Sequence, residues 1–208
     1  MKRKIYYIMD TMCGWCYGFS DVMAKIQEKY KDKYDFEILP GGMWTGDNVK
    51  ILDESLGNYI QNHNKKIEQL TGRTFGEKFN KNVLQKSGIV LDSFPGAKAV
   101  VLIQKLKKEV AFSYLKKIQE AFFIEGKDTN NLETYIEIAE DLGIYGEEFG
   151  REFISDDLIK ETFKCFDRAA SMGVGGFPSV ILSVDDKSRI ISRGYTSFVE
   201  LDKILSNS

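Results

Sequence analysis

The chain has 208 residues, 43% of them hydrophobic and 29% charged, with a formal net charge of −2. That length suits one sizeable domain or a small fold with a large insertion, and the charge balance offers no basic field for nucleic acid. Three cysteines are too few for a disulfide framework, and no stretch approaches the ~20 apolar residues of a membrane span.

Met1-Lys2-Arg3-Lys4 followed by Ile5-Tyr6-Tyr7-Ile8-Met9 has the charge order of a signal peptide. The apolar run falls short of the roughly 7–15 residues such a segment needs, and Asp10 ends it without a small-residue cleavage site. A cytoplasmic protein without a membrane partner is the expectation. Lys4 to Met9, rich in Ile and Tyr, reads as a buried strand. Asp10-Thr11-Met12 is then a turn, and Tyr17 to Tyr30 a helix carrying a Cys-x-x-Cys pair at its start. Phe19, Val22, Met23, Ile26 and Tyr30 recur on one face of that helix. A second strand, Tyr34 to Leu39, stops at Pro40-Gly41-Gly42. Strand, helix and strand in this order make a parallel crossover unit.

From Asp47 to about Met172 the pattern is helical almost throughout. Helices are predicted over Asp53 to Leu70, Phe75 to Gln85, Pro95 to Leu106 and Glu109 to Glu125. Two more follow over Leu132 to Leu142, opened by Asn130 with Glu133, and from the Ser155-Asp156-Asp157 cap to about Ser171. The paired lysines Lys65-Lys66, Lys107-Lys108 and Lys116-Lys117 read as solvated helix faces. After Gly173-Val174-Gly175-Gly176-Phe177-Pro178, the opening grammar returns. Ser179 to Val184 and Arg189 to Ser192 are strands about an Asp185-Asp186-Lys187 turn, and Thr196 or Ser197 caps a helix through Leu205.

Chemistry concentrates in Cys13-Gly14-Trp15-Cys16. A thiol at a helix start faces unpaired N–H groups and the positive end of the helix dipole, which favour the reactive thiolate. A residue three further on lies about one turn away, within reach of a small-ring disulfide. The same spacing serves zinc, but a structural zinc site takes four ligands, and only Cys165 and His63 remain as further soft donors. Inert core packing is the other reading. In the redox reading Cys13, the more accessible thiol, attacks a substrate disulfide and Cys16 resolves the mixed disulfide, with no bound cofactor or metal. Gly14 and Trp15 tune the pair. Asp10 either accepts a proton from Cys16 or caps the turn with its carboxylate.

Pro178 opens a strand after a glycine-rich loop, a position where a cis bond is tolerated. The stretch Gly173-x-Gly175-Gly176 precedes a strand instead of opening a helix, so it fails as a dinucleotide loop. His63, between Asn62 and Asn64, reads as an exposed surface residue, and Cys165, near Phe163 and Phe166, as a small core hydrophobe. Met43 and Trp44 read either as core or as an apolar wall near the Cys pair.

With Asp10-Thr11-Met12-Cys13-Gly14-Trp15-Cys16-Tyr17-Gly18-Phe19 at one end and Gly173 to Pro178 at the other, the chain resembles the DsbA family, and most its cytoplasmic FrnE-like branch of disulfide isomerases. Ala121-Phe122-Phe123-Ile124-Glu125-Gly126-Lys127-Asp128 is similar to a segment of that family's helical insertion. The resemblance implies an α/β architecture: a thioredoxin fold in residues 1–46 and 173–208, with an all-helical insertion over 47–172. It implies Cys13 as nucleophile, Cys16 as resolving thiol and Pro178 as a cis proline. The backbone of Gly176 and Phe177 beside that proline would pair with substrate in strand-like fashion. Partners would be protein or small-molecule thiols and disulfides, with glutathione as a co-substrate. Two alternatives stand beside a thiol–disulfide oxidoreductase: a glutathione-dependent transferase or isomerase of the kappa-class type, and a non-catalytic adaptor on the same fold. Kappa-class relatives replace the first cysteine by serine, whereas this chain keeps both.

Overall fold

The computed structural model describes residues 3–185 and 187–207. Met1 and Lys2, which open the signal-like start, and Asp186 of the predicted hairpin turn lie outside the described residues.

Strand β1 (Arg3–Met9), helix α1 (Gly14–Tyr30) and strand β2 (Asp35–Pro40) form the expected crossover, with β1 and β2 parallel. Strands β5 (Ser179–Val184) and β6 (Lys187–Arg193) complete a sheet of order β2-β1-β5-β6, both of them antiparallel to their neighbours. Alternation along β1 divides its side chains between two layers. Ile5, Tyr7 and Met9 join the large core cluster with Phe19, Met23 and Ile26 of α1. Ile8 turns to the opposite face, where it meets Leu39, Ile181 and Ala169. Edge strand β2 is blunted by a side chain: Gln104 accepts from the Ile38 amide at 2.8 Å and donates to its carbonyl at 2.9 Å.

Between β2 and β5 lie α2 (Glu54–Thr71), α3 (Glu77–Phe79), α4 (Phe94–Leu106), α5 (Ala111–Phe123), α6 (Leu132–Glu140), α7 (Gly146–Phe153) and α8 (Asp156–Ser171). The C-terminal helix is α9 (Phe198–Ser206). Ser155 caps α8 as expected, accepting from Leu158 N, and Ser197 forms a full capping box with Glu200; Asp53, read as the first helical residue, instead caps α2 by accepting from Leu56 N.

The structure corrects several boundaries. Helix α1 begins at Gly14, not Tyr17, because the Cys pair itself forms the first turn. The predicted helix Phe75 to Gln85 is a single α-turn followed by a π-turn over Asn80–Leu84. A two-residue ladder, β3 (Lys50–Ile51) with β4 (Val90–Leu91), interrupts the supposedly all-helical block. Helix α5 is shorter than expected and follows a 3-10 turn over Lys108–Val110. Asn131, not Asn130, caps α6 by accepting from Glu133 N, while Asn130 donates to the Val90 carbonyl. Helix α6 stops at Glu140, and α7 is a helix that the glycines at 143, 146 and 150 concealed. Gly146 is favoured there by packing, since a Cβ would lie 2.9 Å from Ile136 Cγ2, a methyl fixed at the β-branch.

Candidate functional site

Strand register brings the two end motifs together. Ile8 lies opposite Ser179, and Met9 beside Pro40, so the turn after β1, the loop after β2 and the residue before β5 meet at one edge of the sheet. There the Phe177–Pro178 peptide bond is cis. The Phe177 carbonyl accepts from the Cys13 thiol at 3.8 Å, across 164 residues of sequence. Phe177 reaches this position because Gly41 yields its space: a Cβ at Gly41 would lie 2.0 Å from the phenyl ring. Pro178 is buried, whereas Gly176 is exposed and uses its carbonyl to accept from Ser179 Oγ at 2.8 Å.

Cys13 occupies the N-cap position of α1 in extended conformation, without a side-chain capping bond. Both thiols of the pair are free; Cys13 retains 7% exposure and Cys16 none. Burial, followed by the hydrogen bond and charge interaction with Cys13, pushes the Cys16 thiol well above its ordinary range. Tyr7, on the core face of β1, approaches the pair from below and donates to the Cys16 carbonyl at 3.4 Å. Burial, with the two thiols adding to it, raises its phenol as well. A core tyrosine on the β1 face that meets α1 was the available sequence signal for this contact.

Asp10 is fully enclosed behind the pair. Its carboxylate accepts from Met12 N at 2.9 Å, Ser93 Oγ at 2.9 Å and Met43 N at 2.7 Å. It thus ties the Cys turn, the loop after β2 and the start of α4. Burial raises its carboxyl above the usual range, against the opposing effect of those three hydrogen bonds. Ser93 also accepts from Trp44 N at 3.2 Å, a link with no sequence signature.

The helical segment lies directly on the Cys helix. A Cβ at Gly14 would meet Ile67 Cδ1 at 3.0 Å, and one at Gly18 would meet Ile67 Cγ2 at 2.7 Å. The two glycines therefore let α2 approach the thiols. Between them, α2, the loop after β2 and the Phe-rich end of α5 enclose a cavity of about 240 Å³ with Cys13 and Gly14 in its wall. Trp15, Met43 and Trp44 line it, as do Phe79, Phe122 and Phe123. His63, expected at the surface, is half-buried in this wall and its ring sits 4.4 Å from that of Tyr59. Asn64 beside it is 5% exposed, and its side-chain NH2 has no hydrogen-bond partner.

Cys165 stands apart on α8, half-buried, its thiol pushed up to about 11 by burial. Among the described residues no group of three or more His, Cys, Asp or Glu side chains is placed to hold a metal ion. No helix among them is long and apolar enough to cross a membrane.

A four-stranded mixed sheet with Cys-x-x-Cys at the first helix start, facing a cis proline before the third strand, defines a thioredoxin-fold protein, here enlarged by helices between its halves. The family model described as thioredoxin matches residues 6–193, and the chain belongs to that family. A Nitrosomonas europaea protein provisionally described as a protein disulfide isomerase superposes with TM-score 0.90 at 29% identity, over 100% of this chain and 97% of that one. The cytosolic disulfide reductase DsbM from Pseudomonas aeruginosa does so with TM-score 0.82 at 27% identity, over 99% and 100%. DsbM has also been solved with GSH, and that structure superposes with TM-score 0.76 at 26% identity over 91% of this chain and 89% of that one. The ClpXP adapter protein SpxH of Bacillus subtilis is 23% identical over 178 residues, which cover 85% of this chain and 57% of the adapter. The chain thus spans little more than half the length of that relative. The resemblance to DsbA-like proteins of the FrnE type, read from the end motifs, agrees with these neighbours.

Proposed function

We propose that this protein is a cytoplasmic thiol–disulfide oxidoreductase that reduces or rearranges disulfides through a mixed disulfide on Cys13. The carrying observation is the approach of the Cys13 thiol to the Phe177 carbonyl at 3.8 Å, with the cis Pro178 behind it. An extended substrate laid along Phe177 would present its disulfide to Cys13. Cys13 thiolate attacks one sulfur, the Cys13–substrate bond forms, and the other sulfur leaves as thiolate. Cys16 then loses its proton to the departing sulfur and attacks Cys13 Sγ, which frees the second substrate thiol and leaves the Cys13–Cys16 disulfide. Two electrons pass to the substrate in the cycle. A thiol reductant restores the pair, and the GSH-bound DsbM structure supports glutathione in that part.

Native-state alkylation at neutral pH tests the division of roles: Cys13 reacts, and Cys16, buried and held as a thiol, does not. Insulin disulfide reduction is expected from the wild type and lost in Cys13→Ser, while Cys16→Ser accumulates the mixed disulfide. Turnover that survives Cys16→Ser would instead favour glutathione-dependent transfer or isomerisation. The reduction potential of the pair against glutathione then assigns the direction of electron flow.

The SpxH similarity favours a second reading, an adaptor that binds a partner protein without turning over thiols. It predicts weak insulin reduction, and partner binding that Cys13→Ser leaves intact.

A further inference from the structure

The apolar cavity beside Cys13 has no part in the strand-like substrate pairing at Phe177. We propose that it receives the organic group carried by the disulfide that Cys13 attacks, and that this group is a small aromatic or branched-alkyl body. This rests on the redox reading of the pair and adds a substrate class to it.

Three observations carry the inference. First, Cys13 and Gly14 form part of the cavity wall, so a group joined to Cys13 through sulfur has room to enter it. Second, none of the described lining residues is Asp, Glu, Lys or Arg. Glutathione brings two carboxylates and an ammonium, and charges that enter an apolar site without partners are strongly penalised. The rings of Trp44, Phe79, Phe122 and Phe123 instead suit an apolar body. Third, the size agrees. About 240 Å³ exceeds the ~150 Å³ that accommodates benzene and falls just below the range of drug-sized pockets. One ring with a short tail fits.

The step balances within the protein. Cys13 thiolate displaces the outer thiolate from R–S–S–R′ and holds R in the cavity as Cys13–S–S–R. Cys16 then displaces R–S⁻, and the reduced pair, the source of both electrons, ends as the Cys13–Cys16 disulfide.

The test is a single-turnover reduction by the reduced full chain, comparing 2-phenylethyl 2-hydroxyethyl disulfide with bis(2-hydroxyethyl) disulfide and glutathione disulfide. The phenylethyl compound is expected to react at least about tenfold faster than either, a factor that burying a ring readily supplies. Ile60→Trp, at a half-buried wall position, should bring that ratio close to one. A second measurement needs no redox step: 2-phenylethanol added to Cys13→Ser should change Trp15 and Trp44 fluorescence saturably. Equal rates for all three disulfides, or no saturable binding of 2-phenylethanol, overturn the cavity assignment and leave the redox reading standing. Inertness of the pair towards all three disulfides overturns both.

Discussion

The Asp10 carboxyl is held behind the Cys pair by three donors, and burial raises its titration above the usual carboxyl range. The folded state therefore binds its proton more tightly than the unfolded chain does. Its contribution to stability is present below the unfolded value and is lost as pH rises through the folded one. Relative to Asp10→Asn, the wild type should lose stability as pH rises above about 4, measured by urea denaturation of both proteins. A difference that stays flat over that range would show that the carboxyl is not perturbed by folding. The contact with Met12 N was legible in the sequence, since an Asp opening a turn before a helix caps local amides. Those with Ser93 and Met43 were not, because they join residues 83 and 33 positions away.

The contact between α1 and α2 decides how closely the helical segment covers the thiols. Alanine at Gly18 would gain about 1 kcal/mol of helix propensity. Against this, its Cβ would sit 2.7 Å from Ile67 Cγ2, a methyl fixed at the β-branch and unable to swing aside. Overpacking costs of about 1–3 kcal/mol match or outweigh the gain, so Gly18→Ala should be destabilised by up to about 2 kcal/mol. Ile67→Leu removes the β-branch methyl, and in the double variant it should recover at least ~0.5 kcal/mol of the loss, read from a double-mutant cycle. Additive effects would mean that the two helices yield at this contact. Helix existence was readable for α2, α4, α5, α6 and α8, whose apolar spacing is regular. Helix α7 was not, for its glycines have the form of breakers and their purpose is close packing against α6.

Residues 47–172 read as an insertion, yet one hydrophobic cluster runs from Ile5, Tyr7 and Phe19 through Val100, Tyr114 and Phe149 to Leu201. A core that crosses the segment boundary cannot be dismantled in halves. Thermal unfolding is therefore expected to show one cooperative transition, with far-UV dichroism and tryptophan fluorescence coincident. The comparison is informative because both tryptophans, Trp15 and Trp44, line the cavity at the Cys pair and report on the segment contact. A fluorescence change that precedes the loss of helix would show the two segments separating first.

The sequence by itself determined the elements of the four-stranded sheet, the caps of α8 and α9, and the place of the Cys pair at a helix start. Each is a local pattern: alternation, a capping side chain, two thiols one turn apart at a helix start. Tertiary structure alone decided what faces that pair. Strand order carries the Phe177 carbonyl to Cys13, and glycines at 14, 18 and 41 admit Ile67 and Phe177 at contact distance. The same packing turns His63 and Asn64 from a polar surface run into the wall of a cavity. Such facts depend on which distant segments share a volume, and no periodicity along the chain records that.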